Sequence, residues 1–424
     1  MIHVELSDPV VNVKRILSLK GGIPMSVSRR GFLQGLGVGR SQSAAEFMAA
    51  RGHEEYVAEA LQQGNRNARP SLPPGVEAIR ISSNENPLGP GKSVIDTILG
   101  KFPEANRYPF NSSPLDADLE ILIAKQNTAK RENVTLGVGS QELLRNAVRV
   151  FMSPTKHLVE ASPTYGNCSG QARQLGWGIK TAPVDPKTLK TDLSALVPLV
   201  KGAGLVYLCN PNNPTATINS SQQIADFVAE VRKTSPTTAI LIDEAYCDYV
   251  TDKSFATAIP LALATPNVVI TRTFSKAYGM AGVRIGYALG SAETIKRMAR
   301  YRMPYNVNTF GVAAAIASLK DPQHIKDEAV RNTGVRDFTT KALADLGFES
   351  SDSQTNFIFT DIGKTMTAAN FRDACAKHGV MVGRDFPPLE KQWARISIGT
   401  MDEMQKATNV FKQVLRSTST AAGL

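Results

Sequence analysis

Cysteine is scarce in this chain. Cys168, Cys209, Cys247 and Cys375 are the only four in 424 residues, widely spaced and in no paired motif. That excludes a disulfide framework and a cysteine-rich zinc module. The four read as reduced, partly buried small residues. No apolar run approaches the ~18 residues that span a bilayer. No stretch holds five or six consecutive Lys or Arg, and no nucleic-acid-binding module is recognisable. The net charge of +10, from 48 Lys+Arg against 38 Asp+Glu, therefore reads as a basic surface and not as a nucleic-acid track. There is no internal repeat, and 32 Gly and 24 Pro are ordinary usage, which excludes fibrous and low-complexity chains. With 42% hydrophobic and only 20% charged residues, wholesale disorder is excluded as well. The length exceeds one ordinary core, so two domains are expected.

What is present begins with a distinct leader over residues 1–70. Ser28-Arg29-Arg30-Gly31-Phe32-Leu33 resembles the twin-arginine export motif, followed by a weakly apolar stretch to Gly39 and a small-residue segment, Ala45 to Ala50. Arg40, Gln42 and Glu46 interrupt the apolar part. Two expectations stay open: export to the periplasm, or a leader retained in the cytoplasm. Residues 53–64 have a helical pattern stopped by Gly64, and 65–75, with three prolines, read as a linker.

Beyond residue 76, short apolar runs alternate with helical patterns. Strands are expected at 158–160, 205–209, 239–243, 268–271 and 285–289, with helices such as 141–151 and 222–233 between them. Strands apolar throughout and separated by helices predict a mainly parallel sheet covered on both faces. Ligands bind such sheets at the carboxyl ends of the strands. From about residue 319 helical patterns dominate, at 323–346 and 368–378, interrupted by strands at 356–360 and 395–398. This predicts a smaller α/β domain. The expected division is a leader over 1–70, an arm over 71–106 joining the small domain, a large domain over 107–318 and a small domain over 319–424.

The unusual clusters fall just after strands. Lys276, in Thr273-Phe274-Ser275-Lys276, is a candidate amine for a Schiff base with an aldehyde; alone it would read as a surface lysine. Asp243, in Asp243-Glu244-Ala245-Tyr246, ends a strand, and a carboxylate buried there needs a partner, for which a pyridinium nitrogen is suited. Tyr246 is placed to bond a phenolate oxygen. Asn213 lies in a loop stiffened by Pro211 and Pro214. Gly137-Val138-Gly139-Ser140-Gln141 opens a helix whose free N–H groups suit a phosphate, although Ser140 also reads as a simple cap. Arg284, Thr273 and Ser275 offer further phosphate donors. Arg395 starts a strand and suits bidentate capture of a carboxylate, or a structural ion pair. Trp393, Phe386, Tyr305 and Phe357 are candidates for an apolar pocket or for plain core packing. Together the set fits pyridoxal 5′-phosphate and an amino-acid substrate.

At this point the chain resembles the class I/II, fold-type-I aminotransferases, in their histidinol-phosphate aminotransferase-like branch. The resemblance runs from about residue 79 to 414 and is carried by ISSNENPLGP at 81–90, RYP at 107–109, GVGSQE at 137–142, SPTY at 162–165, NPNNPT at 210–215, DEAY at 243–246, TFSKAYGMAGVRIGY at 273–287, TNF at 355–357 and ARISIGT at 394–400. It implies a mainly parallel sheet in a large cofactor domain plus a small closing domain. It implies that Lys276 carries the cofactor and moves the proton, that Asp243 pairs with the pyridine nitrogen, and that Asn213 and Tyr246 bond the 3′-oxygen. Tyr165 is implied to stack on the ring. Ser140, Gln141, Thr273, Ser275 and Arg284 are implied to hold the phosphate, joined by Tyr108 reaching into the neighbouring subunit of a homodimer. Arg395 is implied to bind the substrate carboxylate, Arg384 its distal group, Asn86 to lie on the loop that covers the site, and Leu88 to help define the substrate pocket. Leu88 stands where many relatives carry an aromatic residue, and Ala216 where glycine is usual. The substrates implied are an amino acid, or a histidinol-phosphate-like amine, and a 2-oxo acid. A decarboxylase or oxidase of the same fold, or a non-catalytic ligand-binding relative, is the alternative.

Overall fold

The computed structural model describes residues 78–109 and 114–417, so the twin-arginine motif, the helix at 53–64 and the linker lie outside the described residues. Its strands are β1 (Ile79–Ile81), β2 (Val134–Gly137), β3 (His157–Ser162), β4 (Ile179–Pro183), β5 (Ala203–Cys209), β6 (Ala239–Asp243), β7 (Val268–Thr273), β8 (Gly286–Gly290), β9 (Phe357–Asp361), β10 (Val380–Val382) and β11 (Trp393–Ser397). The helices used below are α1 (Lys92–Lys101), α2 (Gly139–Phe151), α3 (Ser221–Thr234), α4 (Thr309–Leu319), α5 (Pro322–Ala344) and α6 (Ala368–Lys377).

Seven strands form one sheet in the order β2-β8-β7-β6-β5-β3-β4. All run parallel except β8, which pairs antiparallel with both β7 and β2. The reason is visible in β5 and β6, every residue of which is buried. Such strands need cover on both sides. The alternation of side chains sends Leu205, Tyr207 and Cys209 to one face, against Leu143, Leu144, Ala147, Val148 and Phe151 of α2. It sends Val206 and Leu208 to the other, against Ile224, Phe227, Val228 and Val231 of α3. Each fully buried Leu or Val contributes roughly 1.5–3 kcal/mol.

A separate apolar cluster joins Ile81 of β1 to Val335 and Leu343 of α5, Ile358 of β9, Phe371 and Cys375 of α6, Val380 and Val382 of β10, and Ile396 of β11. There β1 runs parallel to β10, and β11 antiparallel to β9. Val94 of α1 packs instead in the first cluster, with Val312, Ala314 and Ala315 of α4. The segment between β1 and α1 therefore crosses from one core to the other, and its Ser83, Asn84 and Asn86 bond Lys276, Tyr246 and Ala277, which follow β7 and β6. Strands β1, β2, β4 and β10 are not anticipated by the sequence pattern. Among the described residues no helix is long and apolar enough to cross a membrane, and no group of side chains suited to a metal ion occurs.

Candidate active site

Strand register places one row of polar groups on the α2 face of the sheet. Asp243, the last residue of β6, lies opposite Cys209 of β5 and Thr271 of β7. Its Oδ1 accepts from the Thr271 hydroxyl at 3.1 Å and its Oδ2 from the Tyr207 hydroxyl at 3.2 Å. Only 2% of Asp243 is exposed. Burial pushes its pKa up to about 6, against the pull of those two hydrogen bonds and of Lys276. This is a carboxylate held in place and short of a positive partner.

Lys276 follows β7 after a tight turn. Its Nζ donates to the Ser83 carbonyl at 3.1 Å and sits 5.5 Å from the centre of the Tyr246 ring. Burial, then the nearby Arg395 and Arg284 guanidinium groups, bring its pKa down to about 8, against Glu85 and Asp243. The amine is thus primed to lose its proton close to neutral pH.

The Tyr246 hydroxyl accepts from Asn84 Nδ2 at 3.1 Å and Asn213 Nδ2 at 3.3 Å. Burial raises its pKa, so it keeps its proton. With both neighbours donating to the oxygen, that proton is directed to whatever occupies the cavity. Arg395 Nη1 donates to Asn213 Oδ1 at 2.8 Å and Nη2 to the Ser82 carbonyl at 2.7 Å. Its Nε is buried without a hydrogen-bond partner. The guanidinium lies 4.7 Å from the ring centre of Phe386 and 5.6 Å from that of Phe357. Burial lowers its pKa to about 10, so it stays charged.

The third part is a cup of donors at the start of α2. The Val138 cap contributes no side-chain bond to the first turn of that helix. Arg284, at φ +62, reaches across with Nη1 to Ser275 Oγ (3.3 Å) and the Ala281 carbonyl (2.8 Å). Thr273 Oγ1 donates to Ser275 Oγ at 2.9 Å. Gly139 makes the approach possible: it adopts φ +66, and a Cβ there would lie 2.4 Å from Arg284 Nη2.

These groups line one open cavity of about 1010 Å³. Ser140, Gln141, Tyr165, Asn213, Asp243, Tyr246, Thr273, Ser275, Lys276, Arg284, Arg384 and Arg395 all face it. Arg384 also stacks on Phe386, 4.7 Å from the ring centre. Three expected residues are elsewhere. Asn86 is buried in a turn, its Nδ2 on the Ala277 carbonyl and its Oδ1 accepting from Leu88 N, both at 2.9 Å. Leu88 is 59% exposed, and Tyr108 is 74% exposed with its ring 5.4 Å from that of Tyr305. Of the aromatic candidates, Phe357 and Phe386 lie beside Arg395, whereas Trp393 stacks on Phe359 at 5.3 Å. Asn84, Tyr207 and Thr271 were not anticipated. Asn84 is one of two asparagines in NEN; its contacts with Tyr246 and with Ser397, 162 and 313 residues away, distinguish it.

The site fits pyridoxal 5′-phosphate on these observations. It offers a buried carboxylate lacking a cation, a phenol and amide facing one point, a donor cup kept open by a glycine, and an amine poised to deprotonate. Residues 76–411 match the sequence profile of the aminotransferase class I and II family, and the chain belongs to that family. It is 34% identical over 327 residues to histidinol-phosphate aminotransferase of Limosilactobacillus fermentum, covering 76% of this chain and 87% of that protein. The corresponding protein of Lactiplantibacillus plantarum is 33% identical over 344 residues, covering 80% and 92%. The crystal structure of histidinol-phosphate aminotransferase from Sinorhizobium meliloti, in complex with pyridoxal-5′-phosphate, superposes with a TM-score of 0.75 at 29% identity, covering 85% of this chain and 94% of that one. The fold is accordingly that of the fold-type-I enzymes, and the chain is a pyridoxal-phosphate-dependent aminotransferase.

Proposed function

We propose that the enzyme moves an amino group from an amino acid or a histidinol-phosphate-like amine to a 2-oxo acid, using the residues that face the cavity. One observation carries this: Lys276, Asp243, Tyr246, Arg284 and Arg395 converge on one space from three separate segments of the chain. When bound, the cofactor supplies an electron sink for charge developing at the substrate Cα. Asp243 would hold the pyridine N–H. Tyr246, Asn213 and Tyr165 would hold the ring. The α2 start, Thr273, Ser275 and Arg284 would hold the phosphate. Nζ of Lys276 would take the proton from the substrate Cα and return it. Arg395 grips the substrate carboxylate. Arg384 faces the distal end of the substrate. In the same reading the chain divides into an arm over 71–106, a cofactor domain over 107–318 and a closing domain over 319–424; the cluster joining Ile81 to β9, β10 and β11 supports this, while Val94 of the arm packs in the first cluster.

The test is to mix purified protein with a panel of donors (histidinol phosphate, phenylalanine, tyrosine, glutamate) and follow the cofactor absorbance. At least one donor should convert it, and Arg395→Lys should raise KM for that donor on the order of 10- to 100-fold. No response to any donor would overturn the reading.

The same reading includes a homodimer. The exposed rings of Tyr108 and Tyr305 lie together, 5.4 Å between centres, and this pairing of exposed aromatic groups supports an interaction site there. Tyr108 would then serve the partner's phosphate cup. Sedimentation at assay concentration should show a dimer; a fully active monomer would refute this.

A further inference from the structure

Two chains of hydrogen bonds join Tyr246 to the strand that carries Arg395. The short one passes through Asn84, whose Nδ2 meets the Tyr246 hydroxyl and whose Oδ1 accepts from Ser397 Oγ at 2.7 Å. The longer one starts in the turn after β6, where Tyr249 N donates to the Tyr246 carbonyl at 3.1 Å. The Tyr249 hydroxyl donates to Glu328 Oε1 at 3.1 Å. Arg331 grips the same carboxylate, Nε to Oε2 at 2.6 Å and Nη2 to Oε1 at 2.9 Å. Its Nη1 then donates to the Gly399 carbonyl at 2.9 Å, just past the end of β11.

Glu328 is 3% exposed, on helix α5, outside the cavity. Stability is a weak reason for such a group. A buried ion pair repays its desolvation poorly, and apolar residues of equal volume pack as well or better. What the carboxylate does is geometric. Its oxygens bind the turn that carries Tyr246 and the guanidinium that holds the backbone after β11. Gly399 is itself confined, since a Cβ there would lie 2.7 Å from Glu403 Oε2 and 3.2 Å from Ile81 Cγ2.

We propose that Glu328 is a positioning residue. Through Tyr249 and Arg331 it sets the separation of Tyr246 from Arg395, and so fixes where the substrate carboxylate sits against the cofactor ring. This rests on the reading that Arg395 takes that carboxylate. Misplacing reacting groups by about 1 Å costs on the order of 100-fold.

The test uses the full-chain holoenzyme and a donor to which it responds. Glu328→Gln and Tyr249→Phe should each raise KM, Glu328→Gln by about tenfold or more, while the dissociation constant for pyridoxal 5′-phosphate stays unchanged. The double variant should be no worse than Glu328→Gln alone, because both act through one path. If Glu328→Gln fails to fold, Tyr249→Phe, which removes a single hydroxyl, carries the test. A lowered melting temperature with unchanged KM would reduce Glu328 to a structural role and overturn the proposal. Arg395→Lys separates the two ideas: if it leaves KM unchanged, the carboxylate reading itself fails. If it raises KM while Tyr249→Phe and Glu328→Gln do not, only the present inference fails.

Discussion

Lys276→Ala should fold, retain pyridoxal 5′-phosphate without a covalent link, and turn over on the order of 10⁴-fold more slowly than the parent enzyme. Folding should survive because the side chain makes one hydrogen bond, to the Ser83 carbonyl, and faces an open cavity. Removing it also relieves the crowding of a cation against Arg395 and Arg284. Two measurements check this. Borohydride should fix the cofactor to the parent chain and not to the variant. In the parent, capture of the cofactor by cofactor-free protein should quicken as pH rises through about 8, where Nζ loses its proton. A variant that turns over within tenfold of the parent would remove Lys276 from the chemistry.

Asp243→Asn carries the second large effect, a loss of turnover on the order of 10²–10³-fold, because an amide cannot balance charge on the ring nitrogen. It also has a signature without the cofactor. In the cofactor-free protein the Asp243 carboxyl has a folded pKa of about 6, above the usual ~3.9 of an unfolded chain. The folded state therefore holds this proton more tightly. The stability it contributes is fully present below about pH 4 and is lost as pH rises through about 6, a swing of roughly 3 kcal/mol. Comparing melts of the cofactor-free parent and variant between pH 4 and 8 isolates this group from Glu160, whose pKa burial also raises, to about 7. Adding cofactor at neutral pH should stabilise the parent more than the variant. Parallel stability profiles for the two proteins would mean that Asp243 does not carry the uncompensated charge.

The central strands were legible because their information is local. A run such as Ala239–Asp243, buried at every position, announces a two-sided strand by composition alone. The three-residue strands β1 and β10 exist only because they pair with each other across most of the chain, and no window of sequence contains that pairing. The same division runs through the site. Lys276, Asp243 and Arg284 were recognisable from their motifs. Tyr207 and Thr271 were not: each sits in a strand that reads as apolar, and their role comes from the register that brings them beside Asp243. Ala216 is a subtler case. Its place after NPNNPT is usually glycine, and the structure shows why: the residue adopts φ +65, a conformation that costs a residue with a Cβ roughly 1–2 kcal/mol.

The contact between Asn84 and Ser397 has a consequence in time. The two residues are 313 positions apart, and ribosomes add on the order of 5–20 residues per second. The segment that supplies Ser82, Ser83 and Asn84 is therefore made tens of seconds before the strand that holds it. Until that strand emerges, the Tyr246 hydroxyl lacks its Asn84 donor and Arg395 does not yet exist. Loading of the cofactor into a complete pocket is thus a late event in the life of the chain, and a nascent polypeptide stalled before β11 would carry Lys276 without the guanidinium that, after burial, lowers its pKa most.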